Sequence, residues 1–342
     1  MKPVFPSLRL SILNRSSGMN ITFRLLSLLA LLLPTCIHAH WQHQEAAIMG
    51  TVITVELWQE DEALGKSQVE SVMNEMRRID HLMSSYNPES ELSAVNSSAA
   101  SGPVTVSLEL LLLIERALEY SNITSGAFDI TYASAGQYYD YRKNKKPDAA
   151  QLQVALPAID YHHVKINKSA STVAFMHPGV RIDLGGIAKG YAVDRGMKIL
   201  QQAGITTALI SAGGDTRVVG KRWDRPWNIG IRNPRDGDNI VSMIPLENSA
   251  ISTSGDYERF FEEDGIRYHH ILDPKTGTST HEIISSSIIG EYATDTDALS
   301  TSVFILGVEK GMQLIDSIPD TEAVIIDNKG NMHYSAGLAR AQ

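Results

Sequence analysis

VRIDLGGIAKGYAVDRG, residues 180–196, is the stretch on which the fold class turns. Val180, Ile182 and Leu184 alternate with Arg181 and Asp183, which predicts a strand. Gly185-Gly186 interrupts the alternation, and Ile187, Tyr191, Asp194 and Lys198 resume at helical spacing. Glycines at such a corner let backbone N–H groups approach an anion at a helix start. Lys189 adds a point charge, and Asp183 can accept from a sugar or ring group. A diphosphate with a divalent metal fits this chemistry; the plainer alternative is a tight corner with a solvated lysine. The corner is not a P-loop, because Lys189 precedes Gly190 and no Gly-Lys-Ser/Thr ending follows. Nor is it the dinucleotide fingerprint, since the glycines fall as G-G-x-x-x-G.

On either side of this corner, strands and helices mix without strict alternation. Ala46–Trp58 reads as one strand, Lys66–Met83 as a helix, and Leu108–Ser121 as a helix capped by Ser107. Thr124–Gly136 is glycine-punctuated and reads as a loop carrying ligand contacts. Strands follow at residues 160–174, at Ala208–Ser211 and in WNIGIRNP, residues 227–234. The stretch from Thr294 turns helical near Asp295, and AVIIDNKGNMHYSAG, residues 323–337, reads as a hairpin turning at Lys329-Gly330. This mixture predicts an α+β fold.

The chain has 342 residues and a net charge of −9, with no basic stripe of the kind a nucleic-acid partner requires. An acidic protein that binds an anion needs a local positive device. Arg15 and Arg24 precede the apolar run Leu25–Leu33 and the small residues near Ala39, the pattern of a signal peptide over residues 1–39. Met19 is an alternative start. Cys36 is the single cysteine, so no internal disulfide is available. Cleavage after Ala39 yields a soluble periplasmic chain; Cys36 is otherwise a candidate lipid anchor to the inner membrane.

Four further groups carry chemistry. Asp297 and Thr301 stand four apart in TDTDALST, residues 294–301, so on a helix they share a face. A carboxylate and a hydroxyl suit Mg²⁺; Asp295 or Thr296 could instead cap the helix. His269 and His270 are adjacent, so on a strand they face opposite sides, and either could act as a general base. Gly213, Gly214 and Gly255 suggest close backbone approach, and Ser252, Thr253 and Ser254 could donate to phosphate. Met49, Tyr86, Phe128 and Tyr132 could sandwich a planar ring.

The blocks AIMGT, SSYNPESELSAVN, GAFDIT, DLGGIAKGYAVD, SAGGDTRVVG, IGIRNP, STSGDYERFF, HHILDPKTG and TDALSTSVFILG follow the order of the ApbE family. The chain resembles that family of FAD:protein FMN transferases over about residues 41–338. The resemblance implies a single ApbE-type domain over residues 40–342, with the flavin nucleotide in a cleft between sub-regions. It implies an exported enzyme that uses Mg²⁺ and FAD to attach FMN, through a phosphoester, to a Thr or Ser of an acceptor protein, releasing AMP. Implied acceptors are subunits of sodium-pumping NADH:quinone oxidoreductase or Rnf-type complexes, or exported proteins with an FMN-binding domain. Asp297 and Thr301 correspond to Mg²⁺ ligands, joined by a backbone oxygen at Gly186. FAD contacts fall on Met49, Tyr86, Ala127, Phe128, Asp129, Asp183, Lys189 and Ile271. His270 is the implied base, with His269 as runner-up. FAD hydrolysis to FMN and AMP, or flavin binding without turnover, are the competing readings.

Overall fold

Met49 and Gly50 both take positive φ, 56° and 71°. The run read as one strand is therefore two, His40–Ile48 (β1) and Thr51–Gln59 (β2), closed by a two-residue turn with Ile48 opposite Thr51. Left-handed backbone at both central positions is what the twist of a two-residue hairpin requires. Alternation alone cannot show this, because a turn of two residues leaves the period of two undisturbed. The computed structural model describes residues 40–341. The predicted signal peptide, including Cys36, lies outside the described residues.

The hairpin opens an eight-stranded sheet. Its other strands are Ala208–Ala212 (β3), Asp215–Val219 (β4), Ala250–Gly255 (β5), Ile283–Gly290 (β6), Glu322–Asp327 (β7) and Met332–Tyr334 (β8). In space they lie in the order of the chain, each antiparallel to the one before. Helices and small hairpins are excursions between neighbours, so the α+β expectation holds.

The long helices that pack against the sheet include Glu62–Met83 (α1), Ala188–Gln202 (α2) and Ala293–Leu306 (α3). α1 buries Val69, Val72, Met73, Met76, Ile79 and Met83, one stripe at helical spacing. Ile53, Val55 and Leu57 of β2 are fully buried in the same core. A second core lies around Trp227, Ile231 and Leu246 of the hairpin built from Trp227–Asn233 and Asp236–Leu246, with Val218, Ile251 and Val324 from the sheet. No helix among the described residues is long and apolar enough to cross a membrane.

The predicted strand at Val180–Leu184 forms no strand pairing. Side chains take the place of a neighbour. Asn96, in the helix Glu91–Ser98, accepts from Ile182 N at 2.8 Å and donates to Ile182 O at 2.9 Å. Ser134 Oγ accepts from Arg181 N at 3.0 Å, and Asp183 N donates to Ile130 O at 3.0 Å. Extended backbone is thus satisfied without a ladder.

Candidate functional site

α2 begins at Ala188 with no side-chain cap of its own. Asp297 of α3 supplies a partner, its Oδ2 accepting from Gly190 N at 3.0 Å. α3 is uncapped locally too. Asp194 of α2 accepts from Ala293 N at 3.0 Å, Thr294 N at 2.9 Å and Thr294 Oγ1 at 2.6 Å. Each helix start is therefore capped by a carboxylate of the other helix, and neither Asp295 nor Thr296 does so. Asp295 instead pairs with Arg116 at 2.9 Å. A Cβ at Gly190 would stand 2.1 Å from Ala293 O and 2.9 Å from Asp297 Cβ, so only glycine admits this approach.

Lys189, beside that contact, reaches two carboxylates. Its Nζ lies 2.6 Å from Asp215 Oδ2, and 3.1 and 3.3 Å from the two oxygens of Asp297. Asp215 and Asp297 are each 2% exposed. Asp215 Oδ2 meets the Lys189 ammonium at 2.6 Å and, among the described residues, no other donor. Burial, then the neighbouring Asp215, hold the Asp297 carboxyl well above its usual range despite Lys189 and Gly190 N–H. Burial works against the Lys189 charge, and Asp215 and Asp297 overcome it, holding the ammonium above its ordinary pKa. With both carboxylates ionised, one ammonium would leave a negative charge uncompensated in the interior, and that cost is what raises the Asp297 carboxyl.

Thr301 lies one turn along α3 from Asp297. A Cβ at Gly186 would stand 3.4 Å from Thr301 Oγ1 and 3.2 Å from the Phe128 ring, so the main chain at Gly186 runs against both. Oxygen donors with a surplus negative charge fit a hard divalent cation. Among the described residues no three His, Cys, Asp or Glu side chains converge on a metal position. The fit therefore rests on Asp297, Thr301 and main-chain oxygen.

The two histidines separate cleanly. His269 ends the strand Ile266–His269 and is buried. Its Nε2 meets Thr280 O at 2.6 Å, and its Nδ1 accepts from Ile271 N at 3.3 Å. Both ring nitrogens are thus engaged by backbone. His270 follows the strand, donating its backbone N–H to Arg259 O at 3.1 Å. Its Nδ1 is enclosed and has no hydrogen-bond partner. Burial, helped by the charges of Arg259 and Lys189, pushes its imidazole down to about 3. It is neutral at pH 7.

The remaining candidates form the surround. Asp183 accepts from Ser85 Oγ at 2.5 Å, Tyr132 OH at 3.1 Å and Gly185 N at 2.7 Å, bracing the double-glycine corner. Tyr86, next to Ser85, is 85% exposed. Met49 sits in the β1–β2 turn, its N–H reaching Asp80 Oδ2 at 3.3 Å. Phe128, Ala127 and Ile271 are buried. Asp129 is turned to structure: Oδ1 accepts from Thr131 N and Oγ1, and Oδ2 from Tyr161 N at 3.0 Å. Ser252, Thr253 and Ser254 all bond to protein hydroxyls, of Thr296, Ser287 and Ser300 respectively, rather than pointing free toward an anion.

Sequence reasoning missed Asp215, Asp194 and Arg259. Asp215 lies in the glycine turn SAGGDTRVVG, where an acid reads as ordinary turn chemistry. Arg259 stands where a Cβ at Gly50 would be 3.0 Å from its Nη2, linking the β1–β2 turn to the His270 segment. Only the fold brings these together.

The family model of the ApbE family matches residues 49–325. An FAD:protein FMN transferase of Treponema pallidum (strain Nichols) is 32% identical over 310 residues, covering 85% of this chain and 86% of that protein. One from Klebsiella pneumoniae (strain 342) is 32% identical over 295 residues, covering 85% and 90%. The crystal structure of the ApbE protein from Thermotoga maritima matches with a TM-score of 0.82 at 32% identity, covering 88% of this chain and 99% of that one. The flavin transferase ApbE from Vibrio cholerae gives 0.79 at 27% identity, covering 88% and 99%.

Proposed function

This chain belongs to the ApbE family, and on that premise we propose that it transfers FMN from FAD to a Thr or Ser hydroxyl of an acceptor protein, with Mg²⁺ bound. The observation that carries the reading is the buried pair Asp215 and Asp297 around Lys189, one turn from Thr301. Asp297, Thr301 and main-chain oxygen at Gly186 are the residues that would hold the cation. When bound, it supplies positive charge to the FAD diphosphate and favours the more highly charged transition state.

The chain's own residues do the rest. Lys189 balances part of the Asp215 and Asp297 charge, so that the site can hold an anionic diphosphate beside the cation. Tyr86, which is exposed, and Met49 offer ring and sulfur surface to the flavin or adenine, and buried Phe128 backs the Gly186 corner. Asp183 holds the Gly185-Gly186 corner open. His270 takes the proton of the acceptor hydroxyl as its oxygen bonds to the FMN-side phosphorus; the bond from that phosphorus to the AMP phosphate oxygen breaks. His269 is unsuited, since both its nitrogens are engaged. A neutral imidazole of low pKa is a weak base in isolation, and negative charge brought near it by a bound diphosphate would raise its basicity.

We assign the chain to the periplasm, on the signal-like residues 1–39, with Cys36 the candidate for lipid attachment. Its acceptors are then exported flavin carriers, of the electron-transport or FMN-binding-domain kind. The test incubates the protein with FAD, Mg²⁺ and such an acceptor and measures the acceptor's intact mass. The expected result is one FMN gained and AMP released. FMN and AMP released with no labelled acceptor would replace the reading with hydrolysis; FAD recovered intact would replace it with binding alone.

A further inference from the structure

Three hydroxyls run in a line inward from Thr301. Thr301 Oγ1 lies 3.2 Å from Ser254 Oγ. Ser254 Oγ lies 2.8 Å from Ser300 Oγ. Ser300 Oγ donates to the main-chain carbonyl of Asp297 at 2.9 Å. Each hydroxyl has one proton and two acceptor positions, and a carbonyl has no proton. That end fixes the direction of the whole chain. The Ser300 proton is spent on Asp297 O, so Ser300 must accept from Ser254. The Ser254 proton is then spent as well, so Thr301 must donate to Ser254. Run in reverse, the same atoms make two hydrogen bonds instead of three.

In the favoured direction the Thr301 proton points into the protein, and its lone pairs are left for a ligand. In the reverse direction that proton would face a cation. We propose that Ser254 and Ser300 are positioning residues that set the Thr301 hydroxyl as an acceptor toward a divalent cation, an inference that rests on Thr301 being a ligand. Ser300 is fully buried, which keeps water from replacing the carbonyl end that sets the direction; Ser254 is partly buried. A comparable device lies one turn earlier on α3. Ser252 Oγ stands 2.8 Å from Thr296 Oγ1, which donates to Ala293 O at 3.3 Å. Thr296 is 1% exposed, so that pair serves packing and provides an internal control.

The test titrates Mn²⁺ alone into the whole chain, following free Mn²⁺ by its electron paramagnetic resonance signal, with thermal melting as a check on folding. Ser254→Ala and Ser300→Ala should each weaken Mn²⁺ binding about tenfold, the low end of what outer-sphere partners contribute. Ser254→Thr, which keeps the hydroxyl, should restore it. Ser252→Ala should lower the melting temperature and leave Mn²⁺ affinity unchanged. In a Thr301→Val background, Ser254→Ala should cost nothing more. If Thr301→Val leaves affinity unchanged, the ligand assignment fails and takes this inference with it. If Thr301→Val weakens binding but Ser254→Ala and Ser300→Ala do not, the orientation inference alone fails. An equal loss from Ser252→Ala, or an additive loss in the Val background, would also overturn it.

Discussion

Asp297 does several things with one side chain. It caps α2 through Gly190 N and shares Lys189 with Asp215, and in the proposed reaction it is a ligand of the cation. Asp297→Ala should therefore lower FMN transfer by about three orders of magnitude, as the loss of a ligand and a charge together; flavin fluorescence on an acceptor peptide measures it. Asp215→Asn isolates the charge alone. It should weaken Mn²⁺ binding several-fold while leaving the fold intact, read by the same titration. The histidines give a paired prediction. His270→Ala should cut turnover and spare FAD binding. His269→Ala should instead destabilise the protein by about 1–3 kcal/mol in urea unfolding, because Ile271 N and Thr280 O lose their partner in the interior. At this scale much was legible. The i,i+4 relation of Asp297 and Thr301 is a local fact of spacing, and the α3 helix realises it. Which histidine is free was not legible, because the answer depends on Thr280, eleven residues away on another segment.

The mutual capping of α2 and α3 is the feature that positions the site at the level of elements. Each helix lends a carboxylate to the start of the other, so the spacing of Lys189 from Asp297 is set by four backbone and side-chain donors rather than by loops. Asp194→Ala should cost about 1–2 kcal/mol, as cap removal does, and also weaken Mn²⁺ binding; calorimetric melting and the metal titration report the two losses separately. Gly190→Ala should be worse, because its Cβ has nowhere to go against Ala293 O. Helices with an apolar stripe, such as α1, were readable from periodicity. The Val180–Leu184 segment misled because alternation signals extended backbone, not a partner strand. Asn96 supplies by side chain what a neighbour would have supplied by main chain.

Across the whole molecule, a charged cluster ties three elements. Arg78 pairs with Glu75 at 2.8 Å and with Glu109 of the Leu108–Ile123 helix at 2.7 Å; Arg195 of α2 reaches Glu75 at 3.0 Å. Hydrogen bonds from Arg78, then from Arg195 or Tyr191, hold both carboxyls below their ordinary value of 4.5. Depressed acids stabilise the fold above that value and cease to do so as pH falls through their lower folded values. The melting temperature should therefore drop below about pH 4.5, and Glu75→Gln with Glu109→Gln should flatten that drop. Sheet order was the least legible property, since pairings such as β2 with β3 join residues about 150 positions apart. Yet that order has a simple outcome. A protein delivered N-terminus first can lay each new strand on the growing rim, with no gap held for a latecomer. Lys189 and Asp215 are in place well before Asp297 and Thr301 emerge. An unfinished chain thus lacks the second carboxylate of the Lys189 cluster until the sheet is nearly whole.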